Sequence, residues 1–156
     1  MIKADVDATR LIQKLDGISL GLRDLTPVWD KIHEVFIAFV KRVFASEGGY
    51  VGEAWAPLSP GYARWKARHT ADKGILQLRG RLYGSLIESQ HPDHVFRDGP
   101  SFMEVGTRVP YAKFHQTGTR RMPRRPPIKP FSKTEGEAAA DIVLAYMLEM
   151  TRRGSR

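Results

Sequence analysis

The clearest hydrophobic pattern in the chain lies between residues 26 and 49. Trp29, Ile32, Phe36, Phe39 and Val43 recur at spacings of 3, 4, 3 and 4, which places them on one face of a helix. Thr26-Pro27 reads as an N-cap followed by proline at the first helical position. Lys41 and Arg42 suit the negative end of the helix dipole, and Gly48-Gly49 ends the element. The spacing predicts a helix of about 20 residues, roughly 30 Å long. Val28, Val35, Ile37, Val40 and Phe44 widen its apolar arc to roughly 200°, whereas packing on a single layer needs a stripe of about 100°. Two readings of the excess stand level. Either Val35, Phe39, Val40 and Phe44 face another subunit, or the helix is buried between two elements of its own domain.

Weaker patterns flank this helix. Residues 2–6 alternate apolar and polar, as a short strand or a lead-in to a helix over Asp7–Leu15 with Leu11, Ile12 and Leu15 on its apolar side. Gly52 to Pro60 is a loop, Tyr62–Arg68 one or two helical turns, and Ile75-Leu-Gln-Leu-Arg a short extended piece ended by Gly80. Leu82–Ser89 reads as helix running into strand. Asp93 to Thr107 reads as a hairpin, with His94-Val-Phe-Arg and Phe102-Met-Glu-Val either side of the turn cluster Asp98-Gly99-Pro100. Tyr111–Gln116 fits a short helical turn. Pro123–Pro130 carries four prolines in eight residues and is expected to be extended. Ser132-Lys-Thr-Glu135 is a capping box opening a last helix, with Ile142, Val143, Tyr146 and Met150 along one side. The expected fold is α+β in a single domain, residues 1–156. A small, mostly antiparallel sheet packs against the Thr26–Ala45 and Ser132–Arg152 helices.

Composition narrows the class. The chain has 156 residues, 42% hydrophobic and 27% charged, which fits one folded domain rather than a disordered chain. With no cysteine there is no disulfide, thiolate metal site or Cys nucleophile. The longest apolar runs, Val35–Val40 and Ile142–Leu148, are too short to span a bilayer, and the N-terminus carries acids and no apolar leader core. A soluble cytoplasmic protein without membrane contact is expected.

Charge changes the picture more. The formal net charge is +8, and eight cations lie between Glu104 and Glu135 with no acid among them. They are Arg108, Lys113, Arg120, Arg121, Arg124, Arg125, Lys129 and Lys133, in a segment that also holds five of the ten prolines. Three roles fit such a cluster: contact with nucleic-acid phosphates, docking on an acidic protein surface, or a solvated loop. Nothing resembles a sequence-reading module, so any contact with DNA would be sequence-independent.

Candidate chemistry is sparse. His33-Glu34 begins like a zinc-protease helix, but the second histidine required four residues on is Ile37, so the motif fails. His33 reads instead as an interface histidine. His91-Pro-Asp-His94 is a weak metal candidate in a proline-broken loop. Ser59, Ser85 and Ser89 have no partners that a sequence rule identifies, and no glycine-rich phosphate loop follows a strand. Tyr111, Phe114 and His115 have the chemistry to stack on bases but are expected in the core. No catalytic residue, metal site or cofactor is assigned.

A longer series of residues carries a family resemblance. Trp55-Ala-Pro-Leu-Ser-Pro is followed by Tyr62 and Lys66, then by Ile75-Leu-Gln-Leu-Arg-Gly-Arg-Leu82 and Ser85-Leu86. Val105-Gly106-Thr107, Tyr111-Ala112, His115-Gln116-Thr117-Gly118 and Met122-Pro-Arg-Arg125-Pro126 complete it. In order and spacing this resembles the phage virion morphogenesis, or tail completion, family of tailed phages and prophages. The chain departs from the family pattern at Leu78-Arg79-Gly80-Arg81-Leu82, at Arg125-Pro126-Pro127-Ile128-Lys129-Pro130-Phe131 and in the short step from Gly118 to Met122. The resemblance implies a non-enzymatic virion protein that completes tails or joins heads to tails. Such a protein would act as a ring-like homo-oligomer, dock on other tail or neck proteins and be found in the virion, or in the host cytoplasm during assembly. The basic segment would face phage DNA or an acidic neighbour. Trp55 and Leu58 would anchor the loop after the long helix, Gly106 and Gly118 would permit tight turns, and Tyr111 and His115 would pack under the basic loop. The alternatives are a small sequence-independent DNA-binding protein and an unrecognised hydrolase.

Overall fold

The computed structural model describes Ser19 and residues 23–70 and 73–153. The strand or helix expected over residues 2–15 lies outside the described residues. The elements are α1 (Thr26–Ala45), α2 (Pro60–His69), α3 (Arg81–Ile87), β1 (His94–Gly99), β2 (Phe102–Thr107), α4 (Ala112–Thr117) and α5 (Lys133–Arg153). The α+β expectation holds. The sheet is a single antiparallel hairpin, with His94 opposite Thr107 and Gly99 opposite Phe102.

Helix α1 is the axis of the fold. It begins one residue earlier than the Thr26 cap implied: the Asp24 carboxylate accepts the Thr26 N–H at 2.9 Å. The hairpin tip fixes this end, because the Leu25 N–H donates to the Pro100 carbonyl and the Trp29 indole to the Gly99 carbonyl. At the other end the Gly48 N–H returns to the Val43 carbonyl and the Glu47 N–H to that of Phe44, a Schellman closure. Glu47 takes the left-handed position at φ 48° and Gly48 follows at φ 88°. The Glu47 carboxylate accepts the Ile75 N–H, tying the helix end to a distant turn.

The core gathers on α1. Phe36, Phe39, Val40, Val43 and Phe44 meet Trp55, Ile75, Leu82, Leu86, Val109 and Ala112. Phe44 sits edge-on to Trp55 at 5.1 Å, and Phe39 edge-on to Phe131 at 5.3 Å. This corrects the subunit-interface reading of α1. Phe39 and Val40 are 0% exposed and Phe44 1%, and Val35 is half-buried. The broad arc is covered within the chain, because α3 and the Trp55 loop pack on one side and Phe131 and α5 on the other.

Two further local expectations change. The Ile75–Arg79 stretch is a turn, not an extended strand, with Leu76 at φ 65°. Tyr111 and Phe114 are 40% and 46% exposed rather than core, because the single turn of α4 directs Ala112 inward instead. The Ser132 hydroxyl does bond the Glu135 carboxylate at the start of α5, and Arg42 at 2.8 Å and the Tyr50 hydroxyl at 2.8 Å reach the same group. Glu135 is therefore the buried joint between the two long helices. Burial works against its charge, but these hydrogen bonds together with Arg42 hold its pKa below the usual carboxylate range.

Candidate docking groove

A strap over residues 124–129 crosses the loop that follows α1, and three of its contacts explain why the segment is rich in cations and prolines. The Arg125 guanidinium donates to the Ala56 carbonyl at 2.6 Å and the Pro57 carbonyl at 2.8 Å. The Lys129 ammonium donates to the carbonyls of Gly48, Val51 and Glu53, at 2.6, 2.7 and 2.8 Å. The Trp55 indole donates to the Pro126 carbonyl at 3.0 Å. Extended, proline-rich backbone cannot satisfy its neighbours' carbonyls with its own N–H groups, so side-chain donors do so. Gln116 bonds both the carbonyl and the N–H of Ile128, and the His115 carbonyl accepts the Arg125 N–H.

Two members of the predicted contact set are thus structural. Arg125 is 7% exposed, and Lys129 is half-buried, with burial and then the nearby Arg124 lowering its pKa. Arg124 donates to the Gln116 carbonyl, Lys133 lies 3.7 Å from Glu137, and Lys113 stands over the Phe114 ring. Arg108, Arg120 and Arg121 remain exposed without an ion-pair partner among the described residues.

Arg125 of the strap also lines an open groove of ≈ 740 Å³. Its lining includes Leu58, Tyr62, the Ile75–Leu82 turn, Tyr111, His115, Met122 and Pro123. Its cations are Lys66, Arg79, Arg81, Arg121 and Arg125, and no described lining residue is acidic. Three of these are occupied internally: Lys66 bonds the Gly74 carbonyl at 2.5 Å, Arg81 pairs with Asp93, and Arg125 holds the loop. Burial lowers the pKa of Lys66, and burial and then Arg125 lower that of His115. Arg79 and Arg121, both exposed, have no ion-pair partner among the described residues. Beside the groove, Tyr62, Trp65 and His69 form a stacked, exposed column on α2, with centroid distances of 5.6 and 4.7 Å. Aromatic and arginine side chains around a desolvated apolar floor are the composition of protein-binding hot spots.

Many of the residues that carried the family resemblance fall around this groove and its strap, while Ser85, Leu86 and Val105–Thr107 lie at the contact of α3 with the hairpin. Trp55 and Leu58 anchor the loop, whereas the strap is tied to His115 through its backbone carbonyl and Tyr111 is exposed rather than packed beneath the loop. Gly118 sits at φ 77°, where a Cβ would meet the Arg124 backbone at 3.0 Å. Gly106 is different: it lies within β2 opposite Val95, with open space where a Cβ would be, so no tight turn explains it. The sequence reasoning missed Leu76, Arg79 and Met122 as neighbours across a groove. The ordered motif series was the signal, since several of its pieces are far apart in the chain and meet here.

The other candidates are internal. His33 lies inside the chain, stacked on Phe96 at 4.4 Å and 5.1 Å from His94, not at a subunit interface. His94 Nδ1 donates to the Ser85 carbonyl, and His91 Nδ1 accepts the Asp93 N–H within its own turn. Among the described residues no group of three or more His, Cys, Asp or Glu side chains is placed to hold a metal. The Ser85 hydroxyl is buried and bonded to the Leu82 carbonyl and the Thr107 hydroxyl, and Ser59 and Ser89 are exposed loop residues. No helix among the described residues is long and apolar enough to cross a membrane.

Mu-like prophage FluMu G protein 1 of Haemophilus influenzae (strain ATCC 51907 / DSM 11121 / KW20 / Rd) is 33% identical over 121 residues, which cover 75% of this chain and 70% of that protein. No solved structure matches the chain. Residues 6–148, the N-terminal segment, the groove and nearly all of α5 included, match the phage virion morphogenesis family, and the chain belongs to that family.

Proposed function

We propose that this chain is a structural virion assembly subunit that completes tails or joins heads to tails in a tailed phage or prophage. It acts by self-association and by docking on other tail or neck proteins, in the virion and in the host cytoplasm during assembly, without turnover. Family membership supports the assembly role. The observation that carries docking is the meeting of several family-pattern segments, those with Leu58, Tyr62, Ile75–Leu82, Tyr111, His115 and Met122, on one open groove with many apolar side chains, exposed tyrosines and two arginines without an ion-pair partner among the described residues. A surface with these features fits a protein partner better than a substrate, because its polar groups do not converge on a point.

The test is complementation. A phage or prophage lacking this gene, supplied with the unmutated chain, is expected to yield finished particles. One supplied with the Tyr62→Asp, Met122→Asp double variant is expected to accumulate separate heads and unfinished tails, counted by electron microscopy. Finished, infectious particles from the soluble, folded double variant would overturn the docking reading.

The exposed Arg108, Arg120 and Arg121, with Lys113 and Arg124 beside them, keep sequence-independent DNA contact as a second reading.

A further inference from the structure

Three charged side chains are buried among the described residues: Lys66, Arg125 and Glu135. Buried charges are ordinarily paired, and Glu135 has Arg42. Lys66, 5% exposed, and Arg125, 7% exposed, have no ion-pair partner among the described residues. The Lys66 ammonium gives one of its three N–H donors to the Gly74 carbonyl, and the other two meet no partner among the described residues. Arg125 spends Nε and Nη2 on the Ala56 and Pro57 carbonyls, and its Nη1 meets none. Carbonyl oxygens satisfy donors but bring no net charge to offset a cation. Burial disfavours the charged form of Lys66. Glu47 opposes this from beyond ion-pair distance, with its Oε1 on the Ile75 N–H.

Both buried cations line the groove, together with the exposed Arg79 and Arg121, and no described lining residue is acidic. Around them lie apolar side chains, Leu58, Leu76, Leu78 and Met122 among them. The groove therefore lacks a counter-charge and offers an apolar bed beside the place for one. We infer that it receives a segment of a partner protein in which acidic side chains stand among apolar ones. The carboxylates supply the counter-charge that Lys66 and Arg125 lack, and the apolar side chains lie against Leu58, Leu76 and Met122. This rests on the docking function proposed above and names the chemistry of the segment that docks.

A nucleic-acid backbone also carries negative charge but suits the groove less. Phosphates are met by cations presented on a surface, whereas two of these cations are sunk among apolar side chains that a phosphodiester chain would leave uncovered. A second copy of this chain, with a formal net charge of +8, is a poor source of an acidic segment.

The probe is a library of random short peptides displayed on yeast and sorted for binding to the full chain. Enriched peptides are expected to combine Asp or Glu with apolar residues. A basic chain attracts any acidic peptide, so variants decide. Lys66→Met keeps the stem and removes the charge. Arg79→Ser, Arg121→Ser removes the exposed pair and, changing only surface residues, keeps the fold even if Lys66→Met does not. Each, with unchanged circular dichroism, is expected to weaken the enriched peptides roughly tenfold or more. Arg108→Ser, Arg152→Ser takes two exposed charges from outside the groove and is expected to change affinity less than about twofold. Equal losses in the groove and control variants would overturn the inference, as would enriched peptides without acids or no enrichment at all. Single-stranded DNA binding that the groove variants lose, with no acidic peptide enriched, would assign the groove to nucleic acid instead. Failure here with particle assembly still lost in the Tyr62→Asp, Met122→Asp variant would leave the docking function standing and remove only the acidic segment.

Discussion

The His33–His94 contact shows how single residues set conditions on the whole fold. Both Nε2 atoms are buried without a hydrogen-bond partner, and the His33 ring is sandwiched between α1 and β1 against Phe96. Burial lowers the pKa of His33 most, and the facing His94 adds to this; Asp30 and Glu34, on the same helix, oppose it. The folded chain therefore holds His33 neutral. An unfolded histidine titrates near pH 6.5, so the stability this group contributes is full above that pH and is lost as the pH falls through the lowered folded value. Unfolding free energies from denaturant titration are expected to fall on going from pH 7 to pH 5, by up to about 1.4 kcal/mol for each unit of pKa difference. In His33→Phe, which keeps the stack on Phe96 and cannot protonate, that part of the pH dependence is expected to disappear. A His33→Phe protein with the same slope between pH 5 and 7 would assign the acid sensitivity elsewhere.

At the scale of elements, the closure of α1 decides how the Trp55 loop and the Ile75 turn come back to the core. Gly48 combines φ 88° with contact: a Cβ there would lie 2.6 to 3.0 Å from the Trp55 indole. Gly48→Ala is expected to cost about 2 kcal/mol or more, from the left-handed backbone and from displacement of the indole. Urea denaturation measures the loss, and a shift in tryptophan emission reports the indole. By contrast Gly52 is also left-handed, at φ 72°, but opens to empty space, so Gly52→Ala bears only the backbone part. The contrast also shows how far the elements were legible in the sequence. α1, the hairpin and α5 follow from short-range periodicity and turn residues, which act within a few positions. The Ile75 turn does not, because the Glu47 carboxylate holds its N–H and Lys66 the carbonyl of Gly74 just before it. Periodicity likewise identified Phe39, Val40 and Phe44 as buried, but could not say whether α3 and Phe131 or another subunit covers them. The groove was least legible, since it is assembled from segments near residues 58, 62, 76, 111 and 122 that no local pattern connects.

For the molecule as a whole, the question is what the excess positive charge is for, and the structure divides that charge into two classes. Arg125 and Lys129 donate hydrogen bonds from the strap to backbone carbonyls of the loop after α1. Arg120, Arg121 and Arg124 are exposed on the approach to it. Replacing all clustered cations together would mix folding with binding, so the two classes are tested apart. Arg125→Gln leaves the Ala56 and Pro57 carbonyls without these donors and is expected to cost about 1–3 kcal/mol. The Arg120→Gln, Arg121→Gln, Arg124→Gln triple variant is expected to stay close to the parent, since surface changes usually fall within about 0.5 kcal/mol. With folding preserved, the triple variant separates the partners. If the cluster contacts DNA, the parent's affinity falls with salt at about −0.9 per phosphate on a log–log plot, and losing three contacts flattens the slope by roughly 2.7. If it meets an acidic protein surface, the DNA slope is unchanged and particle assembly is lost. The second outcome is the expected one. Arg125 and Lys129 are taken up by backbone carbonyls, Arg121 lines the groove itself, and a subunit held by its neighbours needs no strong grip on DNA that must pass it.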